Sequence, residues 1–106
     1  MKLHVERQMA TVLNVVADRF GFSRAELCGI RRQGALGHAR RAAMYLAFRL
    51  IPTGLASLGR RFQGDHITID HAIRCVDQRR RDCAEFAAEL TALRAKVLAA
   101  PAEAAI

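Results

Sequence analysis

The sequence predicts an all-α fold, a small helical bundle that contains a helix-turn-helix. Three observations carry this expectation. Apolar residues recur at steps of three and four along most of the chain, the spacing of one helix face. No stretch shows the alternating apolar and polar pattern of a half-buried strand. Alanine, leucine and arginine, all good helix formers, are plentiful, and capping and breaking patterns punctuate the chain at helix-length intervals.

The first helix is expected over residues 3–20, where Val5, Met9, Val12, Leu13, Val16 and Phe20 lie on one face and Gly21 follows as the terminating residue. Ser23-Arg24-Ala25-Glu26 is a capping-box pattern that opens a very short second helix. Residues 28–37 hold Gly29, Gly34 and Gly37 around Arg31 and Arg32 and read as a flexible basic loop. A long helix follows over 38–51, with Ala42, Tyr45, Leu46, Arg49 and Leu50 in helical register, stopped by Pro52 and Gly54.

A short helix is expected at about 55–62, then a tight Gln63-Gly64 turn, then Asp65 as the N-cap of a helix starting at His66 and burying Ile69, Ile73 and Val76. Arg79-Arg80-Arg81 suggests a break. Asp82-Cys83-Ala84-Glu85 resembles a second capped start, for a last helix with a Phe86, Leu90, Leu93, Val97 stripe. The reading therefore divides the chain into a helix-turn-helix domain over 1–81, an extra helix over 82–100 and a frayed tail over 101–106.

At 106 residues the chain is expected to be one domain, and its 52% hydrophobic content supports a packed core. The net charge is +7 and the pI ≈ 10.6. This excess is localised: residues 24–61 carry eight arginines against a single acid, Glu26. Such a face favours a polyanionic partner, and the planar guanidinium suits phosphates and guanine edges. Three cysteines without paired spacing form no disulfide framework and fit a reducing cytoplasm. There is neither a long apolar run for a membrane span nor an apolar leader at the N-terminus.

Function concentrates in residues 55–77, a short helix, a glycine-containing turn and a second helix. The first turn of that second helix is where base edges are reached. His66 can donate or accept, Thr68 offers a hydroxyl and a methyl, and Ile67 can cover a thymine methyl. Arg60 and Arg61 stand just before the turn, in place to grip phosphates.

These residues resemble the C-terminal DNA-binding domain of the bacterial replication initiator family DnaA. Gly64-Asp65-His66-Ile67-Thr68-Ile69-Asp70-His71-Ala72 is similar to the family signature G-R-D-H-T-T-V-x-H-A. Leu58-Gly59-Arg60-Arg61-Phe62 resembles its I-G-x-x-F, and Ala39-Arg40-Arg41-Ala42-Ala43-Met44-Tyr45-Leu46 its A-R-Q-x-A-M-Y-L. Ile30-Arg31-Arg32 falls where the family has a basic loop. The resemblance implies the helical fold of that domain, of the Trp-repressor-like kind, and a double-stranded DNA partner. It implies a minor-groove contact for Arg32, with Arg31 beside it, and phosphate contacts for Arg40 and Arg41. Base readout falls to Asp65, His66 and Thr68. Arg49 lies next to Phe48, which replaces a family lysine. Two departures stand out: the arginine before Asp-His is missing, and Ile67 replaces the first threonine.

No G-x-x-x-x-G-K-[ST] phosphate loop occurs, and neither a catalytic site, a cofactor nor a metal is expected. His71 and Cys75 lie four apart without a second ligand pair. The expected role is regulation of replication or transcription at DnaA-box-like or A·T-rich sites in the bacterial nucleoid. The alternative is a protein-interaction module that binds other replication proteins through its helices. A third reading, membrane binding by the basic helix at 38–51, is set aside, and the last helix is a candidate dimer surface.

Overall fold

The computed structural model describes residues 2–30 and 34–100 of the chain, without the side chains of residues 2 and 3. The expectations for Arg31, Arg32 and the 101–106 tail lie outside the described residues. Six α-helices and no strand make up the described residues: α1 (Lys2–Phe20), α2 (Arg24–Cys28), α3 (Gly34–Leu50), α4 (Leu55–Arg61), α5 (His66–Asp82) and α6 (Ala84–Ala99).

α3 is the central element, packed against α1, α2, α4 and α5. Its alanines explain how one helix accepts so many neighbours. Ala39, Ala42, Ala43 and Ala47 are each fully buried, and a methyl side chain lets adjacent helices approach closely. Around them the main core gathers Met9, Val12, Leu13 and Val16 of α1, Leu27 of α2, Leu58 and Phe62 of the α4 region, and Ile69 and Ala72 of α5. A smaller cluster of Ala42, Val76, Phe86 and Leu90 seals α6 onto α3 and α5.

Local chemistry fixes most helix ends as expected. Gly21 follows α1 with φ +76°, and its N–H reaches the Ala17 carbonyl. Ser23 and Glu26 cap α2 reciprocally: the Ser23 hydroxyl accepts from the Glu26 N–H at 3.0 Å, and Glu26 accepts from the Ser23 N–H at 2.8 Å.

Three boundaries differ from expectation. α3 starts at Gly34, four residues before the expected 38, because Leu36 and Gly37 are buried in the bundle and packing outweighs the low helix propensity of glycine. α5 does not break at Arg79-Arg80-Arg81 but runs on to Asp82, since cations in a last turn complement the negative end of the helix. The cap of α6 is therefore Cys83 rather than Asp82, its sulfur accepting from the Phe86 N–H at 3.4 Å, while Asp82 accepts two bonds from Gln78.

α6 packs on α1 and α5, and Phe86, Leu90 and Leu93 are 8%, 4% and 2% exposed. Those three residues of the expected stripe are core of their own chain, while Val97 is half-buried. Among the described residues no helix is long and apolar enough to cross a membrane.

Candidate nucleic-acid interface

The turn between α4 and α5 sets the geometry of the helix-turn-helix. Gln63 adopts a left-handed φ of 56°, its N–H bonds to the Arg60 carbonyl, and the Gly64 N–H reaches back to the Gly59 carbonyl at 2.7 Å. This pair of bonds closes α4 and turns the chain sharply into α5. Gly59 is essential to the fit, because a Cβ there would stand 2.5 Å from the Asp65 carbonyl oxygen.

Asp65 then caps α5. Its Oδ1 accepts from the Thr68 N–H at 3.0 Å and from the Thr68 hydroxyl at 3.1 Å, while the Thr68 hydroxyl accepts from the Asp65 N–H at 3.3 Å. These bonds from Thr68 hold the Asp65 carboxyl below the usual carboxylate range. Asp65 and Thr68 thus share a reciprocal cap, and any base contact they make competes with it. His66 and Ile67 are exposed, Ile67 to 64%.

The outward row of α5 continues with Asp70, His71 and Arg74. Asp70 and Arg74 form an ion pair at 2.9 Å, placing one negative and one positive group near the middle of the exposed face. The sequence reading did not pair the two, although their four-residue spacing is the signal of such a pair. His71 Nε2 lies 3.4 Å from the Cys75 sulfur.

The expected arginines divide into distinct environments. Arg41 borders a shallow depression with Thr68 and His71, beside the candidate recognition helix. Arg60 is exposed at the end of α4 and makes no ion pair among the described residues. Arg61 is turned toward α1, where Glu6 binds its guanidinium and raises its pKa further. Arg49 is exposed, stacks near Tyr45 and Phe48, and faces Asp77 at 3.6 Å.

Arg40, expected to contact phosphate with Arg41 beside it, is instead turned into the fold. It is 1% exposed, and its guanidinium donates to the carbonyls of Leu27, Gly29 and Phe62, the last at 3.1 Å. Those carbonyls belong to α2, the residue after it and the end of α4. One arginine thus ties the segment leading to Arg31 and Arg32 to the helix-turn-helix. A buried fork of five N–H donors suits this role in a way that no other side chain does.

The comparisons with known proteins agree with this architecture. Residues 9–76 match the model of the family described as the bacterial DnaA protein helix-turn-helix. The chain is 37% identical over 84 residues to the chromosomal replication initiator protein DnaA of Sphingopyxis alaskensis, covering 78% of this chain and 18% of that protein. It is 45% identical over 67 residues to that of Xanthobacter autotrophicus, covering 62% of this chain and 13% of the relative. With the protein of Caulobacter vibrioides it shares 34% identity over 87 residues, 81% of this chain and 18% of the relative. The chain spans less than a fifth of the length of these relatives. A matched segment that runs from α1 through the helix-turn-helix to Val76 places this chain in the bacterial DnaA helix-turn-helix family.

Proposed function

We propose that this chain binds double-stranded DNA by laying the start of α5 in the major groove, and so regulates replication initiation or transcription at DnaA-box-like or A·T-rich sites. One observation carries the reading. The first turn of α5 is firmly capped and exposes His66 and Ile67, Arg41 borders the depression that Thr68 lines, and the exposed Arg60 stands at the end of α4 just before the turn. Phosphate contacts from such flanking arginines set register and orientation, and first-turn side chains read bases. Arg49 adds a further contact at the surface. Arg31 and Arg32 supply the minor-groove contact. The named relatives are initiators of chromosomal replication. The proposal for these residues is occupancy of duplex sites.

Fluorescence anisotropy with a DnaA-box duplex and a scrambled duplex tests the reading, with the box bound more tightly and both weakened by salt. Absence of duplex binding leaves the interaction-module reading. The exposed Ile67 and the Asp70–Arg74 pair favour that alternative, since they place an apolar and an acidic group on the face that meets the partner.

A further inference from the structure

The cleft between α3 and α5 beyond the expected interface holds an arrangement that the proposed base and phosphate contacts share only through Arg41. Arg41 Nη2 lies 3.0 Å from His38 Nδ1, and Arg79 Nη1 lies 3.2 Å from the same nitrogen. Two guanidiniums thus converge on one imidazole lone pair, about 6 Å apart or less. That lone pair is a poor match for two forks of five donors each. Among the described residues neither arginine has a carboxylate within ion-pair distance. Arg79 is further fixed by its position over the Phe86 ring, 4.3 Å from the centroid. The cleft they line has a volume of ≈ 220 Å³ and is open to solvent, large enough for a tetrahedral oxyanion.

Resting on the DNA-binding reading, we propose that His38, Arg41 and Arg79 form a subsite for one phosphate of the bound duplex, at the rim of the groove. His38 holds the two guanidiniums ready, and the phosphate oxygens replace its lone pair as their acceptor. Arg41 lines both this cleft and the depression bordered by Thr68 and His71. Arg79 lies roughly 20 Å along α5 from His66 at 1.5 Å per residue, further than the major groove is deep or wide, so it meets backbone rather than base edges.

Partial desolvation of the exposed His38 ring, followed by the charges of Arg41 and Arg79, lowers its pKa below the usual imidazole range. The other groups near it are Cys75 on α5 and Glu89 on α6, whose carboxylate is bound by Arg19. A phosphate in the cleft reverses the local field, so the His38 pKa rises when duplex binds.

The test titrates the full chain, as wild type, Arg79→Gln and Arg79→Lys, with box and scrambled duplexes across a salt series. Arg79→Gln keeps a donor for His38 but removes the charge. Its log K against log salt should be shallower by about 1, so that the wild-type advantage shrinks roughly fourfold between 50 and 200 mM salt, on both duplexes alike. Arg79→Lys should restore the wild-type slope. An NMR titration of the His38 ring should show its pKa rising on duplex addition in wild type and by less in Arg79→Gln. Duplex binding by wild type with an unchanged slope in Arg79→Gln overturns the subsite alone. Failure of Arg79→Lys to restore the slope also overturns it. Failure of wild type to bind any duplex overturns both the subsite and the DNA-binding reading.

Discussion

A Cβ on Gly59 of α4 would stand 2.4 Å from the carbonyl carbon of Asp65, the residue that caps α5. The two helices of the helix-turn-helix meet at this point, main chain against main chain. The obstacle to a side chain is backbone on both sides and cannot swing away. Gly59→Ala should therefore open the turn, destabilising the fold by about 1–3 kcal/mol and lowering the thermal midpoint by roughly 5–20 °C. A thermal melt followed by circular dichroism checks this. Gly64→Ala is the contrast: the atoms in its way belong to the Thr68 side chain, so a smaller drop is expected.

Arg40 and Arg41 are adjacent in sequence and opposite in role. Arg40→Ala leaves buried carbonyls of Leu27 and Phe62 without their donor and should cost about 3–4 kcal/mol in a urea melt. Arg40→Lys should not restore this, because a single ammonium lacks the fork that spans the separate carbonyls. Arg41→Ala should leave the melt within about 0.5 kcal/mol of wild type and weaken duplex binding on all sequences. A large stability loss in Arg41→Ala, or none in Arg40→Ala, contradicts the assignment.

The Asp65 cap gives the fold a defined response to acid. Its folded pKa is depressed by the bonds from Thr68, so its contribution to stability is complete above the unfolded value near 3.8 and is lost as pH falls through the lower folded value. Asn caps equally well without a titrating group. Asp65→Asn should thus remove this part of the acid response while keeping α5 intact. Urea midpoints measured from pH 6 down to pH 2 for both proteins provide the check.

Readout and positioning separate by substitution. His66→Ala should cost ~1–3 kcal/mol on the preferred duplex and little on scrambled DNA, because base contacts specify. Wild-type binding should weaken with salt at a slope of about −4 to −5, for ~4–6 neutralised phosphates. Equal losses on both duplexes for His66→Ala would move the reading surface away from the head of α5.

Arg32 should carry a preference for A·T-rich DNA. A narrow A·T minor groove concentrates negative potential and attracts an inserted guanidinium. Without the family arginine before Asp65, and with Ile67 in place of a threonine, direct readout is reduced and groove shape gains weight. Selection from a random duplex library should return A·T-rich sites with relaxed box identity. Arg32→Ala should lose the A·T bias and retain general binding. A sharp box recovered by wild type would count against this.

What the sequence determined by itself is what short-range chemistry controls. Helix ends at Gly21, Ser23 and Asp65 follow from capping groups within three or four residues of one another, and the apolar periodicity placed α1, α3 and α5 because each helix repeats its own pattern. The family motifs were equally local and located the helix-turn-helix. The tertiary structure alone decided where the long side chains went. An arginine on a helix reaches water, a carboxylate or a distant carbonyl with similar ease, and only the packed neighbours select among them. Arg40 turned inward because Leu27, Gly29 and Phe62 present carbonyls there, Arg61 turned to Glu6 across 55 residues of chain, and Arg79 joined His38 across 41. Burial likewise drew Leu36 into α3 and extended that helix back to Gly34, a boundary set by a core that forms only when α1, α2 and α5 have closed around it.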